Sequence, residues 1–168
     1  AKFLNSGQTC IAPDYLVVED KIKDQLLLAL KKEIENAYPN IKGVQENYVQ
    51  IVNERNFNRL EQLIPTKKVY HGGKTNKENR SIAPTLLHKI NFDDSIMEDE
   101  IFGPILPVIA FENLEDVIIK IKEREKPLSL YVYSKNKKKI KKILYEISFG
   151  GGAINESIVQ ISKPNLPF

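Results

Sequence analysis

The apolar residues of this chain change period several times, and that alternation constrains the fold more than any other feature. Tyr15-Leu16-Val17-Val18 is a short apolar run of the kind a buried strand shows, and Ile22, Leu26, Leu30, Ile34 and Ala37 then recur at helical spacing. Asp20 is the expected N-cap of that helix and Pro39-Asn40 its stop. A shorter helix is predicted from Glu54 to Ile64, with Phe57, Leu60 and Ile64 on one side and Pro65 ending it. Lys68-Val69-Tyr70-His71 reads as a strand closed by Gly72-Gly73, and the polar stretch from Lys74 to Arg80 as a solvated loop. Ile82 to Leu87 is the next strand, where Pro84 implies a sheet edge or an irregular start. Ile105 to Phe111 is strongly apolar, and Asn113 with Asp116 resembles a helix N-terminus whose apolar side is Val117, Ile118 and Ile121. A strand over Leu128–Tyr133, a helix over Asn136–Ile147 and a strand from the glycines 150–152 to Ile154 complete the pattern. The tail from Ser157 to Phe168, with Pro164 and Pro167, reads as an extended arm.

Strands that alternate with helices predict an α/β fold: a mostly parallel sheet with helices on both faces. The length of 168 residues fits one domain with a core of its own. Cys10 is the single cysteine, so neither an intramolecular disulfide nor a cysteine-based metal cage can form. His71 and His88 are the two histidines, too few to point to a zinc site, and no metal is expected. No apolar run approaches a membrane span of roughly 18–20 residues and no signal peptide opens the sequence, so a cytoplasmic location is expected. Lys135 to Lys142 holds six lysines in eight positions, a pattern that can attract nucleic acid or an anionic membrane. Ile140, Ile143, Leu144 and Ile147 give the same segment the buried stripe of an ordinary amphipathic helix. The lysines are then its solvated face, without the interleaved aromatics that stack on bases, and neither nucleic acid nor membrane is expected as a partner.

Two clusters can carry chemistry. Cys10 follows Asn5-Ser6-Gly7-Gln8-Thr9 and precedes Ile11-Ala12-Pro13, which places it on a loop. A free cysteine is most often a small buried hydrophobe; a reactive one needs exposure and a positive or amide-rich setting. The second cluster, Met97-Glu98-Asp99-Glu100-Ile101-Phe102-Gly103-Pro104, is either a solvated loop before a strand or a functional pair. In the second case a carboxylate accepts from sugar hydroxyls beside an aromatic that packs on a ring, a combination suited to a dinucleotide.

Taken together, the clusters are more specific. Asn5-Ser6-Gly7-Gln8-Thr9-Cys10 resembles the nucleophile motif of the aldehyde dehydrogenase family, and Glu100-Ile101-Phe102-Gly103-Pro104 its second signature, in matching order and separation. Ala83-Pro84-Thr85-Leu86-Leu87, Arg124-Glu125-Lys126-Pro127-Leu128 and Phe149-Gly150-Gly151-Gly152-Ala153-Ile154-Asn155 agree with the same family. The last two, with Pro164-Asn165-Leu166-Pro167-Phe168, look most like its class 3 or fatty aldehyde dehydrogenase branch. The resemblance covers the whole chain, and implies that residues 1–168 are the nucleophile-bearing catalytic domain.

The resemblance implies a role for each matching residue. Cys10 is the nucleophile that attacks an aldehyde to give a thiohemiacetal and then a thioester, and its backbone amide is half of an oxyanion hole. Glu100 binds the nicotinamide ribose, Phe102 packs near the nicotinamide, and Asn155 has a positioning role. NAD or NADP is the implied cofactor, an aldehyde the substrate, and the whole protein a homo-oligomer. In the family the general-base glutamate, the second oxyanion-hole group and the NAD-binding domain lie upstream of the nucleophile, and an oligomerisation arm lies elsewhere in the chain. None of these is expected within residues 1–168, so the segment alone is expected to lack dehydrogenase turnover. Two other readings remain open: a folded, inactive module that self-associates, and a Cys-His hydrolase that pairs Cys10 with His71 or His88.

Overall fold

The computed structural model describes residues 1–39, 48–162 and 165, and these gather into two compact units, Lys2–Glu112 and Asn113–Phe168 with Ala1. The larger unit is built on four strands: β1 (Leu16–Glu19), β2 (Val69–His71), β5 (Thr85–Leu87) and β6 (Ile105–Phe111), in the spatial order β1-β6-β5-β2. β1 and β5 both run parallel to β6, whereas β2 pairs antiparallel with β5. The sheet is mostly parallel, as its sequence pattern predicts.

Side chains alternate across a strand, so each face of β6 carries its own set. Leu106 and Val108 point to the face covered by α1 (Asp20–Ala37), where they pack with Val18, Leu27, Ile34 and Leu86. Ile105 and Ile109 point to the other face, against Leu87 and the Phe57 and Leu60 of α2 (Glu54–Gln62). Helices therefore cover both faces. Phe57, Leu60, Leu87 and Ile105 are fully buried, so this second face is the main core.

Local chemistry moved several element ends. Asp20 is the first residue of α1 and not its cap: its carboxylate accepts from Lys23 Nζ at 2.8 Å, while Glu19 holds the cap position with no side-chain capping hydrogen bond, its carboxylate pairing with Lys21 instead. The buried stripe of α1 is also rotated from the predicted one. Leu27 and Ile34 are buried and Leu26 and Leu30 half-buried, but Ile22 and Ala37 are exposed. α1 ends at Ala37; Pro39 follows it, and Asn40 lies outside the described residues. α2 does start as expected, with Asn53 Oδ1 accepting from the Asn56 N–H at 2.8 Å.

The polar segment 74–80 is not a plain loop. Thr75–Asn76 (β3) and Ser81–Ile82 (β4) pair as a small antiparallel hairpin, and Asn76 Oδ1 accepts from the Glu78 N–H to shape its turn. Pro84 interrupts the predicted strand between β4 and β5, the irregular start its missing N–H requires. It does not mark an edge, because β5 is flanked by β6 and β2.

In the smaller unit, β7 (Ser129–Val132) and β8 (Gly151–Ile154) form a two-stranded parallel sheet with α3 (Leu114–Lys122) and α4 (Lys137–Glu146). Asn113 and Asn136 cap these helices, accepting from the N–H groups of Glu115, and of Lys138 and Lys139. Ion pairs Lys122–Glu146 (3.0 Å) and Lys142–Glu115 link α3 to α4. Val117, Ile118 and Val132 are buried, but the stripe expected of α4 is only partly so: Ile147 is buried, Ile140 and Ile143 are half-buried and Leu144 is exposed. Val159–Ser162 is a 3-10 turn, not the extended arm expected there; residues 163, 164 and 166–168 lie outside the described residues.

Candidate active site

The segment ahead of Cys10 folds in a conformation that few sequences allow. Asn5, Ser6 and Gly7 are three consecutive residues at positive φ (51°, 54° and 71°). Asparagine and glycine tolerate this region best, and the Asn5 side chain stabilises it by donating to Gln8 O at 3.0 Å. The turn is pinned to residues 49–52. Ser6 Oγ donates to Val49 O, Gln8 Nε2 donates to Gln50 O at 3.0 Å, and Gln8 Oε1 accepts from the Val52 N–H at 2.9 Å.

A second turn follows at once, closed by the Ala12 N–H donating to Thr9 O at 2.9 Å. Cys10 sits at its first corner and is exposed, while Ile11 is buried as the anchor. The reading of Cys10 as a buried structural cysteine is therefore overturned. No acceptor among the described residues takes the Cys10 N–H, so this amide is free to meet an oxyanion beside its own sulfur.

The two motifs meet directly. A Cβ on Gly7 would lie 2.2 Å from Gly103 O and 3.1 Å from Lys2 O, so the turn before Cys10 rests on the backbone of the Glu100–Pro104 loop. Gly103 is confined from its other side, since a Cβ there would lie 2.6 Å from both methyl carbons of Leu60 on α2. The intervening residues are held by polar groups. Arg59 on α2 donates through Nη2 to Ile101 O at 2.6 Å and through Nη1 to Glu100 O at 3.3 Å. Asp14 Oδ1 accepts from the Ile101 N–H at 3.0 Å.

With Ile101 fully buried as a plug, Glu100 and Phe102 on either side of it are exposed. Phe102 adopts φ 47°, strain for a bulky residue that persists only where flanking contacts hold it. Glu100 is held above its ordinary carboxylate range, first by partial burial and next by the like charge of Asp14, with Lys2 and Arg59 acting in the opposite direction. Lys2 is 5% exposed, and burial pushes its ammonium down to about 8 although Asp14 and Glu100 favour its charge. The structure thus brings Cys10, Glu100 and Phe102 into one loop system of the larger unit.

Asn155 lies in the smaller unit, at the end of β8, with φ 57°. Its side chain pairs with Ser134 in both directions: Oδ1 accepts from the Ser134 N–H at 2.9 Å and Nδ2 donates to Ser134 O at 3.2 Å. Its backbone N–H donates to Val132 O at 2.9 Å. These bonds make Asn155 the lock at the end of the β7–β8 pair.

Neither histidine completes a cysteine-histidine pair. His71 Nδ1 lies 4.0 Å from Glu35 Oε1, and His88 sits edge-on to Tyr70 with ring centroids 5.6 Å apart. Among the described residues no group of three or more His, Cys, Asp or Glu side chains is placed to hold a metal ion, and no helix is long and apolar enough to cross a membrane. Lys2, Asp14 and Arg59 are the site-forming residues that pattern reading missed. Arg59 falls on the predicted α2, but nothing in helical periodicity says where a guanidinium will reach.

Comparison with known proteins agrees with this geometry. The sequence pattern of the "Aldehyde dehydrogenase family" matches residues 1–168. The chain is 44% identical to the "Aldehyde dehydrogenase, dimeric NADP-preferring" of Rattus norvegicus and 40% identical to "Aldehyde dehydrogenase family 3 member A2" of the same organism. Both alignments cover 99% of this chain, but 37% and 34% of those proteins, so it spans little more than a third of their length. The solved "Substrate bound state of Staphylococcus Aureus AldH" superposes with a TM-score of 0.94 at 40% identity, covering 99% of this chain and 37% of that one. The chain belongs to the aldehyde dehydrogenase family, with relatives of the class 3 type that its motifs resemble.

Proposed function

We propose that this chain is the nucleophile-bearing catalytic domain of an NAD(P)-dependent enzyme that oxidises an aldehyde to a carboxylic acid. The observation that carries the reading is the direct contact between the Cys10 turn and the Glu100–Phe102 loop, through Gly7 and Gly103. This contact supports the reading because it keeps a thiol, a carboxylate and an aromatic ring on adjoining loops. The fit to a nicotinamide dinucleotide rests on the donor set: Glu100 offers an exposed carboxylate for ribose hydroxyls, and Phe102, turned outward by its positive φ, offers a ring edge or face.

The thiolate of Cys10 adds to the carbonyl carbon of the aldehyde, and the Cys10 N–H donates to the oxygen that becomes negative. When bound, NAD(P) supplies the hydride acceptor that converts this thiohemiacetal to a thioester. Water then cleaves the thioester, releasing the acid and returning Cys10. Asn155 acts as a positioning residue, holding the end of β8 through Ser134.

The rat relative is described as dimeric and NADP-preferring, which supports a homo-oligomer and either nucleotide for the whole protein. We assign the general base and the NAD-binding domain to sequence outside residues 1–168, so the isolated segment has no dehydrogenase turnover and binds NAD weakly or not at all. Formation of NAD(P)H, followed at 340 nm with the full-length protein and with Cys10→Ser, tests the reading. Loss of at least about 10³-fold in kcat is expected, and turnover retained in the variant would remove Cys10 from the mechanism.

A further inference from the structure

A buried ammonium needs a reason. Lys2 is 5% exposed, and the charges that act on it are the Asp14 and Glu100 carboxylates. The Asp14 carboxylate disfavours ionisation of Glu100, and Lys2 and Arg59 pull Glu100 in the opposite direction. Both are also attached to one short segment: Asp14 accepts from the Ile101 N–H at 3.0 Å, and Arg59 donates to the carbonyls of Glu100 and Ile101. The Lys2 backbone lies against the same place, its carbonyl 3.1 Å from where a Gly7 Cβ would be.

We propose that Lys2 is a positioning residue for Glu100: its buried ammonium is the counter-charge that allows Asp14 to hold the Ile101 amide and Glu100 to remain an ionised acceptor beside it. The site presents two neighbouring anions within a partly buried loop. Remove the ammonium and the balance shifts to a proton on Glu100 or to separation of the loop from Asp14. Either change weakens Glu100 as an acceptor for ribose hydroxyls, although Lys2 itself touches no reactant. Arg59 acts on Glu100 in the same direction but less strongly than Lys2 does.

This inference rests on the reading of Glu100 as a nucleotide ligand. Its test is equilibrium binding of NADH and NADPH to the full-length protein, read by nicotinamide fluorescence between pH 5 and 8, independently of turnover. For the tighter nucleotide, wild-type affinity should fall as pH drops through the Glu100 titration. Lys2→Met should move that acid limb to higher pH, and a shift of about one unit raises Kd about tenfold at pH values below the limb. Lys2→Arg should restore most of the affinity. Asp14→Asn, which keeps an acceptor for Ile101 but removes the like charge, should move the limb to lower pH; it decides the question if Lys2→Met does not fold. An acid limb unmoved by either change, or moved in the same direction by both, overturns the role of Lys2 while leaving nucleotide binding intact. A wild-type protein that binds neither nucleotide and oxidises no aldehyde overturns the underlying reading of the site.

Discussion

At Gly7, Cys10 and Lys2, backbone geometry and burial set what the side chains can do. Gly7→Ala places a methyl in the left-handed region and into the Gly103 carbonyl, so one loop must give way. A loss of about 2 kcal/mol or more is expected in urea denaturation, the left-handed conformation alone costing roughly 1–2. Cys10, exposed at a turn corner, should react with iodoacetamide in the native protein near neutral pH. Alkylation that waits for denaturant would contradict its placement.

Lys2 carries a pH signature in stability. Its ammonium is favoured less in the folded state, so between about pH 8 and its ordinary value of 10.5 the unfolded chain binds more protons and stability rises with pH. Below about 8 the cost of the buried charge is constant. Comparing wild type with Lys2→Met by denaturation at pH 7 and pH 10 should show this contribution in wild type alone. Cys10, Glu100 and Phe102 were legible in the sequence because motif and order mark them. Lys2 was not, because the burial of a lysine and the charges that act on it, here Asp14 and Glu100, are set by the fold and not by its sequence neighbours.

Among the elements, α2 contributes most to the site. Its Leu60 lies against Gly103 and its Arg59 binds the next carbonyls along, so one helix turn both supports and tethers the Glu100 loop. Leu60→Ala, at a fully buried position, should cost roughly 2–5 kcal/mol of stability by thermal or urea unfolding. A cost under about 1 kcal/mol would mean that the site does not rest on this core. Helices and strands were mostly legible because period and stop signals agree, as with Phe57, Leu60 and the Pro65 that follows α2. The errors have local causes. α1 turns its face toward Leu26 and Leu27 because Val18 and Val108 lie there, and pattern alone could not choose between neighbouring stripes. The hairpin at 75–82 depends on an Asn76 turn and a two-residue pairing, too short for any periodicity.

For the whole molecule, fold and family are clear, and the chain spans little more than a third of the length of its curated relatives. The mostly parallel sheet brings the loop before β1 and the loop before β6 to the same end, since β1 and β6 are parallel neighbours. Residues 90 positions apart, Cys10 and Glu100, thereby enter one loop system. The order of the motifs was visible in the sequence; their contact through two glycines was not. The central claim is that the Cys10 sulfur carries the substrate during turnover. Peptide mass mapping of the full-length protein, quenched in acid during turnover of an aldehyde with NAD(P), tests it most directly. The predicted result is an acyl group on the Cys10 peptide that disappears as the thioester hydrolyses and never forms in Cys10→Ser. Steady aldehyde oxidation with no acyl group on Cys10 in wild type, and undiminished oxidation in the Cys10→Ser protein, would contradict it.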